Sequence, residues 1–328
     1  VDEQMVPDGN FPTVENGKPN PEEKAANDRA VAKMMAEDAD IAITNDPDAD
    51  RIGVVVRVDD EPIYLSGNQS AVLATDYSLR KLHDEGLLTD KHYIAKTIVT
   101  TDMLDSLANK YGVTSYGNML VGFKYIGELI RNKENTDEVF VIGGEESYGL
   151  LKGDYARDKD GAAGALPLAE LAAELKAEGL TLYDQLLALY AEHGLYVERL
   201  DTVVCPGADG FEKMQSIMAS LRTNPPTHIG DYEVTATLDY ASLTRRDLAT
   251  GEESDIDCIK GNVFVLEFGD SRRRITIRPS GTEPKIKFYV QWFVEAESDE
   301  PPAVAAQYEV TRMELEGLSR HLEGVLLG

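Results

Sequence analysis

Three stretches of this sequence gather residue types that can do chemistry together. In ITNDPDADRIG, residues 43–53, three aspartates alternate just past an apolar run. In an extended loop alternate side chains face the same side. Carboxylates at Asp46, Asp48 and Asp50 would then converge and repel one another unless a cation sat between them. A hard, oxygen-seeking ion such as Mg2+ suits that set, with water or a substrate phosphate completing the shell. Arg51 follows at once, within reach of a phosphate on that ion. The plainer alternative is a solvated turn, since Asp and Pro are common turn residues. An EF-hand loop starting at Asp46 wants Gly at its sixth position and Glu at its twelfth. Arg51 and Arg57 stand there, which excludes it.

The second stretch, VFVIGGEESYG (139–149), ends an apolar run with two glycines, two acids and a serine. Ligands of open α/β sheets gather at the carboxyl ends of strands, and Glu145 with Ser147 can exchange hydrogen bonds with vicinal hydroxyls. Farther on, YARDKDG (155–161) sets Arg157 and Lys159 among acids. The third stretch is RRRITIRPSGTEPKIK (272–287), with six basic residues against one acidic in a chain of net charge −27. Strand alternation puts Arg274, Thr276 and Arg278 on one face, and Lys285 and Lys287 share a face in the next strand. Between the strands Ser280, Gly281 and Thr282 offer hydroxyls and backbone N–H groups, Gly281 leaves room for an anion, and Arg278 adds a two-pronged guanidinium. Taken singly, each stretch also reads as a turn or hairpin with solvated charges.

These loops need a frame. From residue 28 to about 192 helical and strand-like runs alternate, which predicts a mainly parallel sheet covered on both faces. Residues 59–62 read as a polar turn. Gly112 stands where a helix C-cap belongs, and Thr181 with Asp184 resembles a capping box. Beyond Gly194 the texture changes to several strand-like runs, a helix over FEKMQSIMASLR, and a terminal helix over about 301–320. The fold class is therefore α/β: a mainly parallel-sheet αβα domain followed by a smaller α+β domain with an antiparallel sheet.

At 328 residues the chain can hold two or three domains. Its acidity argues against nucleic acid or anionic membrane as a general partner, and no apolar run is long enough to span a bilayer. Two isolated cysteines, Cys205 and Cys258, make no disulfide framework, so a cytoplasmic setting is expected. No P-loop and no G-x-G-x-x-G occurs.

Taken together and in order, TNDPDADR, GGEESYG and RPSGTEPK resemble the α-D-phosphohexomutase family, most closely its bacterial phosphoglucomutase branch. PDGNFPTVENGKPNPEE near the start, LSGNQ (65–69), GFKYIGELI (122–130) and YARDKDG extend the likeness over nearly the whole chain. The resemblance implies interconversion of sugar 1- and 6-phosphates through a phosphoserine and a hexose bisphosphate. It implies Mg2+ on Asp46, Asp48 and Asp50, with Arg51 assisting phosphoryl transfer. Glu145, Ser147, Lys159 and Lys124 would contact the substrate, and Arg278, Ser280, Gly281 and Thr282 would grip the phosphate that is not reacting. It divides the chain into 1–64 (the end of the second mutase domain), 65–194 (the third) and 195–328 (the fourth).

The sequence also departs from the family. No Ser-His-Asn nucleophile loop occurs, so the chain is expected to be the C-terminal portion of a mutase, inactive alone and partnered by the missing N-terminal domains. Val121 stands where a Thr or Ser often precedes Gly-Phe-Lys. Phosphomannomutase or phosphopentomutase activity stays open, as does a non-catalytic module that binds phosphosugar or Mg2+. A haloacid-dehalogenase-type phosphatase with Asp46 as nucleophile is weakened, because Asp50 stands where that motif carries Thr or Val.

Overall fold

The computed structural model describes residues 1–207 and 209–327, which fall into two compact units, 1–189 and 190–328. The first unit opens with turns and short 3-10 segments. Helix α1 (Lys24–Ala36) then leads to β1 (Ile41–Asn45), β2 (Ile52–Val58) and β3 (Glu61–Leu65), which pair antiparallel in that order. The connection over residues 46–51 is too short for a parallel crossover, which takes a dozen or more residues. Residues 59–62 are only half a turn. Asp59 and Asp60 take φ values of 47° and 64°, the left-handed pair that closes a tight hairpin, while Glu61 and Pro62 already belong to β3. Pro62 is tolerated because β3 is an edge strand. Val31, Met34, Ala42 and Val55 make a small core between α1 and this sheet.

The LSGNQ run acts as a helix start. Ser66 Oγ accepts from Gln69 N–H (3.2 Å) and Gln69 Oε1 accepts from Ser66 N–H (2.9 Å), a capping box for α2 (Gly67–Asp84). There follow β4 (His92–Lys96), α3 (Met103–Tyr111), β5 (Thr114–Tyr116), α4 (Phe123–Lys133), β6 (Val139–Gly144), β7 (Leu150–Lys152), α5 (Gly161–Ala177) and α6 (Leu182–His193). The predicted parallel sheet is here: β5, β4 and β6 run parallel, and β7 returns antiparallel at the edge in the order β5-β4-β6-β7. Its core includes Tyr93, Ala95, Phe123, Ile126, Ile130, Phe140 and Leu151. Gly112 caps α3 at φ 69°, and Thr181 and Asp184 exchange hydrogen bonds at the start of α6.

The second unit is antiparallel. Its strands are β8 (Leu195–Val204), β9 (His228–Ile229), β10 (Tyr232–Glu233), β11 (Ala236–Asp239), β12 (Thr244–Asp247), β13 (Glu253–Asp255), β14 (Phe264–Phe268), β15 (Asp270–Pro279) and β16 (Lys285–Val294). Seven of them form one sheet, ordered β13-β12-β11-β14-β15-β16-β8, and β9 and β10 pair separately. Helices α7 (Gly210–Thr223) and α8 (Pro301–Leu327) pack on this sheet, α8 running past the expected stop near residue 320. The alternation expected along β16 holds only at its start. Lys285 and Lys287 are half-buried beside buried Ile286 and Phe288, but from Tyr289 to Phe293 every residue is buried. Thr276, expected beside Arg274 and Arg278 on a cationic face, is fully buried.

Candidate functional site

The acidic loop lies between β1 and β2, and it is not extended. Ala49 takes φ 58° and donates its N–H to Asp46 O (3.0 Å), so the chain turns back on itself. The Asp46 carboxylate holds that turn: its Oδ1 accepts the N–H groups of Asp50 (3.1 Å) and Arg51 (3.0 Å). The turn, and not strand alternation, gathers Asp46, Asp48 and Asp50, each with a carboxylate oxygen within 4.8 Å of the others. Neighbouring structure fixes the loop from both sides. Asn45 donates to Arg51 O (3.0 Å), and Gly161 at the start of α5 donates its N–H to Ala49 O (2.9 Å). A Cβ on Gly161 would lie 2.3 Å from Asn45 Nδ2 and 2.6 Å from Ala49 O, so only glycine admits this approach.

Burial raises the Asp46 carboxyl above its ordinary range, and the nearby Asp48 and Asp50 push the same way against the Arg51 N–H. Burial and the two neighbouring carboxylates both disfavour its charged form. Asp50 divides its two oxygens: Oδ2 meets the Lys159 ammonium at 2.9 Å, whereas Oδ1 is buried with no hydrogen-bond partner among the described residues. Three converging carboxylates, one with a buried uncommitted oxygen, fit a hard divalent cation. Arg51 reaches Glu22 at 3.2 Å and lies 3.9 Å from Asp46 and from Asp50.

The Gly-Glu-Glu-Ser loop closes between β6 and β7. Glu145 N–H donates to Gly149 O (2.9 Å), and Tyr148 takes φ 69° to make the turn. The loop sits on the start of α2, where a Cβ at Gly67 would meet Glu146 O at 2.1 Å. It is also sewn to the acidic loop: Arg51 and Gly149 form an antiparallel bridge, and Ile52 N–H donates to Tyr148 O at 3.0 Å. Glu145 is 5% exposed. Burial raises its carboxyl pKa, opposed by the Lys159 and Arg51 charges and by a hydrogen bond from Gly122 N–H. Ser147 is half-buried on the same loop. Lys159 spans the two loops; burial works to lower its pKa, but Asp158 and Asp50 outweigh that and hold the ammonium above its usual value.

The first unit thus brings together Asp46, Asp48, Asp50, Arg51, Glu145 and Lys159. Lys124 is exposed, with its ammonium 4.8 Å from the centre of the Tyr125 ring; the neighbouring link to Glu145 is the Gly122 N–H. Two participants were not singled out from sequence. Glu22, inside the quoted PNPEE run, pairs with Arg51, and Gly122 precedes Phe-Lys in a run already quoted.

In the second unit, the Ser-Gly-Thr turn joins β15 to β16. Ser280 Oγ faces the N–H groups of Thr282 (3.4 Å) and Glu283 (3.3 Å), so these donors are loosely held by the turn's own hydroxyl. A Cβ at Gly281 would meet nothing within 4 Å. Four of the six basic residues are committed locally. Arg272 pairs with Asp270, Arg273 donates to Phe293 O, Arg274 donates to Ser271 O and Lys285 pairs with Glu283. Arg278 and Lys287 make no ion pair among the described residues, and they stand directly opposite each other in the β15–β16 register. Like charges so placed repel, and an anion between them would relieve it. Lys287 was noted in the sequence for its face but not counted in the site.

This layered α/β architecture and its paired loops have a defined class. Residues 1–59 match the phosphoglucomutase/phosphomannomutase α/β/α domain II, and residues 66–192 match α/β/α domain III of the same group. The chain belongs to the α-D-phosphohexomutase family of isomerases. It is 36% identical over 291 residues to a phosphoglucomutase of Staphylococcus aureus (strain MRSA252), covering 88% of this chain and 51% of the relative. It is equally similar to a phosphoglucomutase of Staphylococcus epidermidis, with 52% of that relative covered. The chain therefore spans about half the length of the curated relatives it matches. Among solved structures, pp63/parafusin (a phosphoglucomutase) from Paramecium in its open form aligns with TM-score 0.55 at 20% identity, covering 86% of this chain and 46% of that one. A phosphoglucomutase/phosphomannomutase family protein from Burkholderia thailandensis gives TM-score 0.55 at 18% identity, over 97% and 53%. At those identities the likeness is one of fold.

Proposed function

We propose that this chain is the metal- and sugar-binding portion of a phosphoglucomutase, which interconverts glucose 1-phosphate and glucose 6-phosphate. In that cycle a phosphoserine gives its phosphoryl group to the free hydroxyl of the sugar phosphate. The resulting bisphosphate reorients, and its other phosphoryl group returns to the serine, so no phosphate is gained or lost. Asp46, Asp48 and Asp50 would hold Mg2+, which when bound supplies charge neutralisation at the transferring phosphoryl group. Arg51 presents its guanidinium to the phosphoryl oxygens. Glu145 and Ser147 contact sugar hydroxyls, with Lys124 and Lys159 as further substrate contacts. Arg278, Ser280, Gly281 and Thr282, joined by Lys287, would bind a phosphate group.

One observation carries this proposal: the Arg51–Gly149 bridge joins the carboxylate loop directly to the hydroxyl-binding loop, so a cation and a sugar would be neighbours. The division at 1–64, 65–194 and 195–328 is kept as the domain assignment, and a cytoplasmic site of action goes with it. Among the described residues no helix is long and apolar enough to cross a membrane. No Ser-His-Asn occurs in the 328 residues, so turnover requires a phosphoserine from outside them.

The test is a coupled assay for glucose 6-phosphate from glucose 1-phosphate. The chain alone should show no turnover, and turnover should appear when a phosphoserine-bearing first and second domain of the family is supplied. Turnover by the chain alone would refute the need for an outside phosphoserine. Preference for a mannose or pentose phosphate in the complemented system would replace the glucose assignment.

A further inference from the structure

We propose that Lys159 is a positioning residue for the metal loop: it holds one oxygen of Asp50 so that the other is presented to the cation. The inference rests on the metal assignment above and adds a role for Lys159 beyond sugar contact. The Lys159 ammonium lies 2.9 Å from Asp50 Oδ2 and 2.9 Å from Asp158 Oδ1. Asp50 Oδ1 is buried with no hydrogen-bond partner among the described residues, and Arg51 Nε lies 3.9 Å from it. Asp46 shows the same division of labour, its Oδ1 being tied by two backbone N–H groups. In both carboxylates one oxygen is anchored to the protein. A carboxylate anchored by an outer partner keeps its orientation when a metal is absent or exchanging, and such partners tune affinity as well as geometry.

The track that Lys159 follows is built for it. Its side chain is 12% exposed and runs across the backbone of Gly149, where a Cβ would lie 2.1 Å from Lys159 Cδ and 2.8 Å from Cγ. The Phe123 ring lies beneath the ammonium, its centre 5.6 Å away. A lysine beside a cation site raises a question of sign, since its charge repels the metal. Asp158 answers it: the Asp158–Lys159 pair is neutral as a unit, so the orienting hydrogen bond outweighs the residual repulsion. An ammonium has three donors. Two are spent on Asp50 and Asp158, leaving one for a sugar or phosphate oxygen, so a single group links cation loading to substrate binding.

The test is titration calorimetry of the purified chain with MgCl2 alone, no sugar present, on variants whose melting temperatures and circular dichroism are recorded in parallel. Lys159→Met should weaken Mg2+ binding about tenfold, and Lys159→Arg should recover part of the loss. Gly149→Ala keeps the lysine but blocks its track, so it should weaken binding similarly. The double variant should be no worse than Lys159→Met, because both changes break one contact. If Lys159→Met fails to fold, Gly149→Ala and Lys159→Arg carry the comparison. Unchanged or tighter Mg2+ binding in these variants, with Asp48→Ala still weakening it, overturns the positioning role alone. No Mg2+ binding by the unmodified chain overturns the metal assignment and this inference together.

Discussion

Arg51 and Gly149 face each other across an antiparallel bridge between two loops that lie almost one hundred residues apart in the chain. The bridge, with the adjacent bond from Ile52 N–H to Tyr148 O, makes the carboxylate loop and the Gly-Glu-Glu-Ser loop one piece of backbone. Backbone pairing of this kind limits how far either loop can move without the other. A metal bound on one side and a sugar on the other would therefore meet in a preset geometry, which is the main thing a phosphoryl-transfer site must supply.

Asp48→Ala tests the cation site without disturbing its frame. Asp48 is exposed, while the backbone of the loop is held by Asp46, Asn45 and Gly161. Removing one of three converging carboxylates should weaken Mg2+ binding by at least about tenfold, since loss of an outer partner alone costs that much. The far-UV spectrum should not change. Calorimetry showing equal affinity would remove this loop from the metal site.

Gly67→Ala tests the seating of the Gly-Glu-Glu-Ser loop on α2. The new Cβ would lie 2.1 Å from Glu146 O and 2.6 Å from Tyr148 N, both backbone atoms with no rotamer to yield. Overpacking of this kind costs about 1–3 kcal/mol. Urea unfolding of the chain should show a loss in that range, and a midpoint equal to the parent's would mean that the loop is free to lift from the helix.

Much of the frame was legible because the sequence carries apolar runs and helix caps in plain view. Gly112 and the Thr181–Asp184 pair sit where their types predict, and the runs IGVVVRV and KIKFYVQWFV are strands. The missed pieces have weak local signals. β12 and β13, TRRD and ESD, are polar on both faces, and Arg245 of β12 reaches past β11 to pair with Glu267 of β14. At the site, residue types were readable but their geometry was not. Alternation suggested an extended Asp loop, whereas Ala49 in the left-handed region and a hydrogen-bonded Asp46 carboxylate make it a turn. The Arg51–Gly149 bridge and the Arg278–Lys287 opposition are pairings between distant or separately read segments, which no local pattern encodes.

That opposition yields a paired prediction. Arg278→Ala should lose phosphosugar affinity by about 1.5–3 kcal/mol, the worth of a hydrogen bond to a charged group. Lys287→Ala should also lose affinity, yet without phosphate it should stabilise the chain by a few tenths of a kcal/mol, since cross-strand like charges are relieved. Thermal melts with and without inorganic phosphate read both effects. A Lys287→Ala chain that is destabilised in phosphate-free buffer and binds phosphate normally would sink the idea of a cationic pair awaiting an anion.

Glu145 gives a pH test whose sign can be worked out in advance. Burial raises its carboxyl pKa in the folded chain above the ordinary value of 4.5, and the Lys159 and Arg51 charges only partly offset this. The folded state then holds the proton more tightly than the unfolded state does. Stability from this group is fully present below the unfolded value near 4.5 and is lost as pH rises through the higher folded value. At neutral pH the parent bears the cost of a buried carboxylate. Glu145→Gln should therefore melt at a higher temperature than the parent at pH 7–8, and the difference should shrink toward zero as pH falls to 4.5 and below. On the proposed function the same change removes a carboxylate oxygen that would accept from a sugar hydroxyl, so phosphosugar binding should weaken while stability rises, the opposition expected where a charge is kept for function. A variant that melts lower than the parent at neutral pH would show that the Gly122 N–H and the two cations already outweigh the burial of this carboxylate.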